Sequence, residues 1–177
     1  MGRVEGAGRR RGLERGVHVK LRSFLVPEAV VTDLEATDKK GVIRELVQAL
    51  ARAGAVGEES FPSIVQSMLA REKMGSTGIG RGVAIPHSKS KAVDKVVCAF
   101  GRSRVGADFA SIDGEPVDLV FLEVSPADPM NAKEHLKALQ RICEILRNEM
   151  TCRFLREADG VAEILDLLFE ADDELGA

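Results

Sequence analysis

The residues best suited to chemistry lie between Gly75 and His87. The loop from Gly75 to Gly82 contains four glycines in eight positions, and glycine lets backbone amides approach and surround an anion. The loop matches neither common nucleotide-binding pattern. Arg81 and Gly82 stand where a Walker loop needs Lys and Ser/Thr, and Val83 stands where GxGxxG needs its last glycine. The loop is therefore either an anion cradle or a series of turns.

His87 is the candidate reactive side chain, because it follows the short apolar segment Val83–Ile85 and Pro86. That segment predicts a strand, and open α/β sheets bind ligands just beyond their strand ends. A histidine in such a loop could act as a general base, a metal ligand or a nucleophile. No HxxxH pair or nearby His–carboxylate cluster supplies further metal ligands, and no GxSxG motif indicates a serine hydrolase. We therefore favour a nucleophilic histidine, which is typical of phosphoryl transfer through phosphohistidine.

The elements that must position His87 alternate between helix and strand. Asp38 can cap a helix that runs to about Ala53, because apolar residues recur on one of its faces. Other predicted helices follow Ser60, cover 131–147 and close the chain, and predicted strands are Val30–Val31, Val83–Ile85, Val96–Phe100 and Val117–Val124. This pattern predicts a single α/β domain in which a mixed parallel and antiparallel sheet is flanked by helices on both sides.

The charge distribution separates residues 1–22 from the rest of the chain. They carry seven Arg or Lys and two Glu, a net charge of +5, whereas the whole chain of 177 residues has −3, so residues 23–177 carry −8. We interpret residues 1–22 as a basic, disordered arm whose removal leaves stability unaltered, with binding to RNA or membrane phosphates as the alternative. We expect residues 23–177 to form the folded domain, and its acidic balance suits a basic protein partner.

Composition excludes several classes of protein. Seven Phe without any Trp or Tyr argue against stacking on single-stranded nucleic acid. Cys98, Cys143 and Cys152 lie far apart, as expected for reduced thiols rather than for disulfides or a zinc site. No run of about 18 apolar residues indicates a membrane span, and no apolar segment follows the basic N-terminus as in a secretory signal. We expect a cytoplasmic protein with no nucleic-acid partner, no metal and no cofactor.

A longer motif supports the phosphoryl-transfer interpretation. Residues 71–87 read REKMGSTGIGRGVAIPH, and further blocks follow at 100–103 (FGRS), 112–117 (IDGEPV), 121–126 (FLEVSP) and 135–139 (HLKAL). Together they resemble the type-2 enzyme IIA domain of the phosphoenolpyruvate-dependent sugar phosphotransferase system, in its fructose, mannitol and nitrogen-regulatory branches. The resemblance covers about residues 23–170, and residues before Ser23 have no counterpart in it.

The resemblance implies a role for three side chains. His87 matches the histidine that takes a phosphoryl group from the phosphohistidine of the carrier HPr or a relative of it. His135 matches a second histidine near the first, able to hydrogen-bond the phosphate or to hold the ring of His87 in one tautomer. Arg71 matches an arginine of the same pocket, whose planar fork suits phosphoryl oxygens. Arg81 stays open as a competing arginine.

Further phosphate contacts are expected from the glycine-rich loop. Its hydroxyl and amide groups could neutralise the transferring group without a metal, since phosphoryl transfer mainly needs positioning and charge stabilisation. The candidates are Ser76, Thr77 and Gly78.

Two functions remain possible within this family. A regulatory protein of the nitrogen branch would bind its targets according to its phosphorylation state, whereas a fructose-type protein would pass the phosphoryl group to an enzyme IIB cysteine for sugar uptake. The chain contains no enzyme IIB phosphocysteine motif and no membrane segment, so we expect separate protein partners. We favour the regulatory function because a lone domain suits it, although 87–93 and 108–117 look at least as much like the fructose branch.

Overall fold

A six-stranded mixed sheet forms the centre of the molecule, which this computed structural model describes over residues 19–176. The strands are β1 (Leu25–Val31), β2 (Gly78–Gly80), β3 (Val83–Ala84), β4 (His87–Ser90), β5 (Val97–Ala107) and β6 (Val117–Pro126). Their order is β1-β5-β6-β3-β2, and β4 also pairs with β6. Pairings β1–β5, β3–β6 and β4–β6 are parallel, and β5–β6 and β2–β3 are antiparallel.

Five helices cover the two faces of this sheet. They are α1 (Lys39–Arg52), α2 (Phe61–Lys73), α3 (Ala132–Arg147), α4 (Glu149–Glu157) and α5 (Val161–Glu174). Helices α1 and α2 pack on one face around one apolar core, and α3, α4 and α5 pack on the other face around a second core. The predicted α/β architecture with helices on both sides is therefore confirmed. Within residues 19–176, no helix combines the length and the apolar character needed to cross a bilayer.

Helix α1 forms where local signals place it. The Asp38 carboxylate accepts a hydrogen bond from the amide of Gly41 at 2.9 Å, which satisfies one of the free donors of the first turn. Its apolar stripe, which includes Ile43 and Leu46, is fully buried against the sheet. The helix ends at Arg52, and Gly54 adopts a φ of +70° just beyond it.

His87 lies in a strand rather than in the predicted loop. Ala84 pairs with Val120 and His87 pairs with Glu123, so β3 and β4 follow the same partner strand in one continuous register. The two strands are separated by Ile85 and Pro86, and a proline cannot donate to a ladder. The short polar β4 has no apolar alternation that would predict a strand from the sequence. It is a strand because its backbone pairs with β6.

Strand β5 extends well past the predicted end at Phe100, to Ala107. The extension contains Arg102, whose charged side chain is buried. Its Nε donates to the carbonyl of Thr32 at 2.9 Å, and its Nη1 donates to the carbonyls of Leu155 and Ala158 at the end of α4. The guanidinium therefore caps a helix C-terminus from the sheet.

The folded part begins earlier than residue 23. Leu21 is fully buried in the core beneath α3 and α5, and its amide donates to the Asp172 carboxylate at 3.1 Å. Removal of residues 1–22 would therefore delete the core side chain of Leu21. The expectation that residues 1–22 can be removed without a change in stability does not hold for residues 19–22. The remainder of the predicted arm, residues 1–18, lies outside the described residues.

Candidate functional site

The ring of His87 is held by a backbone carbonyl. Its Nδ1 lies 2.8 Å from the carbonyl oxygen of Ile85, and a carbonyl can only accept, so Nδ1 carries the proton. In the neutral ring, Nε2 then carries the lone pair. Ile85 and Pro86 lie between β3 and β4. The carbonyl of Ile85 accepts this hydrogen bond from the side chain two positions further along the chain. The half-buried His87 thus has one fixed tautomer and one free nucleophilic nitrogen.

His135 lies beside His87, as the resemblance implies. It is the fourth residue of α3, and Ala138 and Ile142, three and seven positions further on, belong to the buried stripe of this helix. The stripe therefore turns His135 toward the sheet, where its ring centroid lies 5.7 Å from that of His87 with a 47° angle between the planes. The side chain of His135 is 14% exposed, so the pair is at the rim of the domain.

A third residue, Glu123, joins the pair and was not predicted. It stands opposite His87 in the β4–β6 register, which puts both side chains on the α3 face of the sheet. Its fully buried carboxylate lies 2.9 and 3.0 Å from Nδ1 of His135. The signal that could have found it is a single carboxylate inside the apolar run of β6, because a buried charge needs a partner.

Arg71 is in the last turn of α2, where the glycine-rich loop begins. Its Nη1 donates to the carbonyl of Gly75 at 3.1 Å. The next residue, Glu72, is buried and forms an ion pair with Lys39 at 2.9 Å. The Arg71 side chain at the end of α2 therefore fixes the start of the glycine-rich loop. Arg71 itself is half-buried.

The loop residues expected to contact phosphate use their donors within the protein. The Ser76 hydroxyl donates to the carbonyl of Phe109 at 2.6 Å and accepts from the amide of Gly78 at 3.1 Å. Both the amide and the hydroxyl of Thr77 hydrogen-bond to the Glu72 carboxylate. These contacts engage both hydroxyls and the amides of Thr77 and Gly78 within the protein. They stabilise the loop, and phosphate binding by Ser76, Thr77 and Gly78 stays a prediction.

The competing arginine, Arg81, points to another part of the molecule. It adopts a φ of +56°, donates to the carbonyl of Leu146 at 3.3 Å, and lies 3.9 Å from the Glu149 carboxylate. Leu146 is eleven residues beyond His135 on α3, a separation of about 16 Å at 1.5 Å per residue. Arg81 is therefore directed away from the histidine pair.

A known protein family matches most of this chain in sequence. The sequence model described as "Phosphoenolpyruvate-dependent sugar phosphotransferase system, EIIA 2" matches residues 23–171. The chain belongs to this family. Members of the enzyme IIA family act as phosphoryl carriers, which fits a site built around a free imidazole nitrogen.

Similar proteins come from both branches of this enzyme IIA family. A nitrogen regulatory protein of Bradyrhizobium diazoefficiens is 36% identical over 148 residues, covering 84% of this chain and 94% of that protein. The fructose-specific EIIABC component of Bacillus subtilis is 35% identical over 154 residues, covering 87% of this chain. This enzyme IIA spans only 24% of the length of that Bacillus relative.

Solved structures of the family share this fold. Nitrogen regulatory protein IIA-Ntr from Neisseria meningitidis has a TM-score of 0.73 at 31% identity, over 82% of this chain and 97% of its own. Enzyme IIA mannitol from Escherichia coli, solved in complex with phosphorylated enzyme IIB mannitol, has a TM-score of 0.67 at 26% identity, over 80% and 94% of the two chains. That enzyme IIA therefore binds an enzyme IIB protein.

Exposed charged residues near the two histidines of this enzyme IIA in sequence are of both signs, since Glu134 precedes His135. Four exposed lysines flank the two histidines in sequence, at Lys89, Lys91, Lys133 and Lys137. The net charge of −8 on residues 23–177 does not by itself place acidic groups beside His87.

Cys98 carries a thiol next to Glu123 in the sheet, but this thiol is not suited to act as a nucleophile. It pairs with Glu123 in the β5–β6 register and is fully buried. Burial raises the pKa of the Cys98 thiol well above its usual range, and the negative charge of Glu123 adds to the shift. The thiol therefore stays protonated and is a poor nucleophile. Among residues 19–176, no group of three His, Cys, Asp or Glu side chains is arranged to hold a metal.

Proposed function

We propose that this enzyme IIA accepts a phosphoryl group on Nε2 of His87 from the phosphohistidine of an HPr-like carrier. The observation that carries the proposal is the hydrogen bond from His87 Nδ1 to the carbonyl of Ile85. It commits one ring nitrogen to the protein and leaves the other with its lone pair, at a rim that His135 shares. The proposal assigns the protein to the cytoplasm, together with its carrier.

The transfer step balances without any proton leaving the site. The Nε2 lone pair of His87 forms the new N–P bond while the N–P bond of the donor breaks, and that electron pair returns to the donor nitrogen. The ring of His87 keeps its Nδ1 proton and develops positive charge during the attack. The carbonyl of Ile85 stabilises that charge, as the orienting acceptor does for a catalytic histidine in a triad.

Charge on the phosphoryl oxygens needs hydrogen-bond donors and cations for its stabilisation. The first turn of α3 carries His135, so the positive end of the helix dipole favours an anion there. Arg71 is the remaining cation assigned by the resemblance, and its fork can hold two equatorial oxygens. The Ser76 and Thr77 hydroxyls and the Thr77 and Gly78 amides already have protein partners, so a phosphate contact there requires these hydrogen bonds to exchange.

The same site serves two possible acceptors, and we propose the regulatory one. The greater likeness to Neisseria IIA-Ntr (TM-score 0.73, 31% identity) than to enzyme IIA mannitol (0.67, 26%) favours the nitrogen branch. Phosphorylation would then change which target proteins the chain binds. Transfer to an enzyme IIB cysteine for sugar uptake is the second candidate, because the fructose-specific relative is 35% identical.

Labelling of the wild-type protein tests the proposal. With phosphoenolpyruvate, enzyme I and HPr, we expect one acid-labile, base-stable phosphoryl group per chain, mapped to His87 by mass spectrometry and to Nε2 by NMR of the ring nitrogens. Label on another residue, or on Nδ1, would contradict the assignment. Addition of a fructose-specific enzyme IIB domain then separates the branches, since a regulatory protein retains the label and a sugar-transport protein loses it.

Replacement of Arg71 by alanine is expected to slow transfer on the order of 10²-fold, because a charged donor to the developing oxyanion is lost. The measurement is the initial rate of His87 labelling by phosphorylated HPr in rapid-quench experiments. Arg81→Ala is the matched control, since Arg81 interacts with the C-terminal end of α3. Equal rates for the Arg71 variant and the wild type would remove Arg71 from the site.

A further inference from the structure

The carboxylate of Glu123 is the most unusual group of the site. It is fully buried in β6, between β4 on one side and β5 on the other. Within the part of the chain that the structure describes, its only side-chain hydrogen bonds are those to Nδ1 of His135, at 3.0 Å from Oε1 and 2.9 Å from Oε2. Its direct neighbour in the β5 register is Cys98, which cannot neutralise it.

Burial restricts the charge of the Glu123–His135 pair. An ionised carboxylate without water or a cation is very costly in a protein interior, so the pair is stable when its net charge is zero. Two arrangements meet this condition: an imidazolium beside a carboxylate, or a neutral imidazole that accepts at Nδ1 from a carboxylic acid. Both arrangements place a proton on Nε2 of His135, because the other shared proton lies between Nδ1 and Glu123.

We propose that Glu123 is a positioning residue that keeps Nε2 of His135 as a hydrogen-bond donor at the transfer site. Nδ1 of His87 is bound to Ile85 and Nδ1 of His135 is bound to Glu123, so Nε2 is the free nitrogen of each ring. The rings are 5.7 Å apart between centroids. A phosphoryl group on Nε2 of His87 accepts from Nε2–H of His135, and a bare lone pair there would repel its oxygens.

This role deepens the proposed function and rests on it for the phosphoryl group, but the proton position can be measured without any transfer. In ¹⁵N-resolved NMR spectra of the ring nitrogens at pH 7.5, Nε2 of His135 is expected to be protonated in the wild type. In Glu123→Leu, which suits the apolar run of β6, we expect His135 to show a mixture of tautomers and His87 to keep its Nδ1 proton. Glu134→Gln, exposed and adjacent on α3, is the matched control and leaves both spectra unchanged.

Kinetics then test whether Glu123 acts through His135. We expect Glu123→Leu to slow labelling of His87 about tenfold in the wild-type background, the effect of about one hydrogen bond to a charged group. In a His135→Gln background the same substitution is expected to change the rate less than about twofold, because two residues acting in series are not additive. Equal slowing in both backgrounds would reassign Glu123 to a purely structural role.

The outcomes separate this inference from the proposed function. A wild-type chain that takes no label but carries the proton on Nε2 of His135 would remove the transfer function and retain the placement of that proton by Glu123. A labelled chain whose Nε2 is unprotonated, or whose His135 spectrum is unchanged in Glu123→Leu, would overturn the role of Glu123 alone. Thermal unfolding of each variant shows whether the fold is intact.

Discussion

Replacement of His87 by glutamine is expected to reduce phosphorylation by phosphorylated HPr from one group per chain to none. Glutamine is similar in size and polar, so it can occupy the start of β4, but its amide nitrogen has no lone pair available for attack on phosphorus. The other described imidazole, that of His135, holds its Nδ1 against Glu123 and is not expected to take the group instead. The measurement is label retained per chain after alkaline denaturation.

The control for this result is His135→Gln. We expect that variant to keep the label but to acquire it more slowly, because it retains the nucleophile and loses a neighbouring donor. Because both variants introduce the same side chain, their comparison separates the histidine that accepts the phosphoryl group from the histidine beside it. If His87→Gln still took one phosphoryl group per chain with an intact fold, the assignment of the nucleophile would be wrong.

Replacement of Asp172 by alanine is expected to lower the free energy of unfolding by about 3–5 kcal/mol, the cost of breaking a buried ion pair. Asp172 on α5 is fully buried, and its Oδ1 accepts from Nε of Arg141 on α3 at 2.5 Å. Its Oδ2 accepts from the amide of Leu21 at 3.1 Å. The alanine variant therefore leaves the buried Arg141 guanidinium with only the more distant Glu144 carboxylate, at 3.8 Å, and removes the hydrogen bond to the amide of Leu21. Urea unfolding followed by circular dichroism measures the change.

The neighbouring residue provides the matched control. Asp173 lies 3.4 Å from Lys20 and 3.6 Å from Arg22, but its side chain is 59% exposed. Exposed ion pairs contribute about 0–1 kcal/mol, so Asp173→Ala is expected to change the unfolding free energy by no more than that. Similar losses in the two variants would show that α3, α5 and the N-terminal segment are not joined through Asp172.

The chemistry of the protein could be read from the sequence where one short segment contains the information. Residues 71–87 include a candidate nucleophile, a strand signal and a proline that bends the chain, and they carried the family assignment that residues 23–171 confirm. Helix α1 followed in the same way from the Asp38 cap and one apolar face. Such signals are local, since capping and periodicity depend on residues within a few positions of one another.

The glycine-rich loop shows where local reading fails. Four glycines permit an anion cradle and a series of turns equally well, and the sequence does not show which groups accept the hydrogen bonds of the loop. Glu72 and Phe109 accept the donors of Thr77 and Ser76, and Phe109 is more than thirty positions away along the chain. The direction of Arg81 toward the end of α3 was equally invisible, because it depends on how the β2–β3 hairpin packs against a distant helix.

The sequence by itself determined the family, the two-sided α/β architecture and the identity of the two histidines, because each depends on motifs or periodicity along the chain. The tertiary structure alone decided that His87 begins a strand, that Leu21 belongs to the core and that Glu123 holds His135. Those features depend on strand register and on helix-to-sheet packing, in which a shift of one residue moves a side chain to the opposite face. The proton arrangement of the site follows from the same register, because it places a buried carboxylate directly opposite His87.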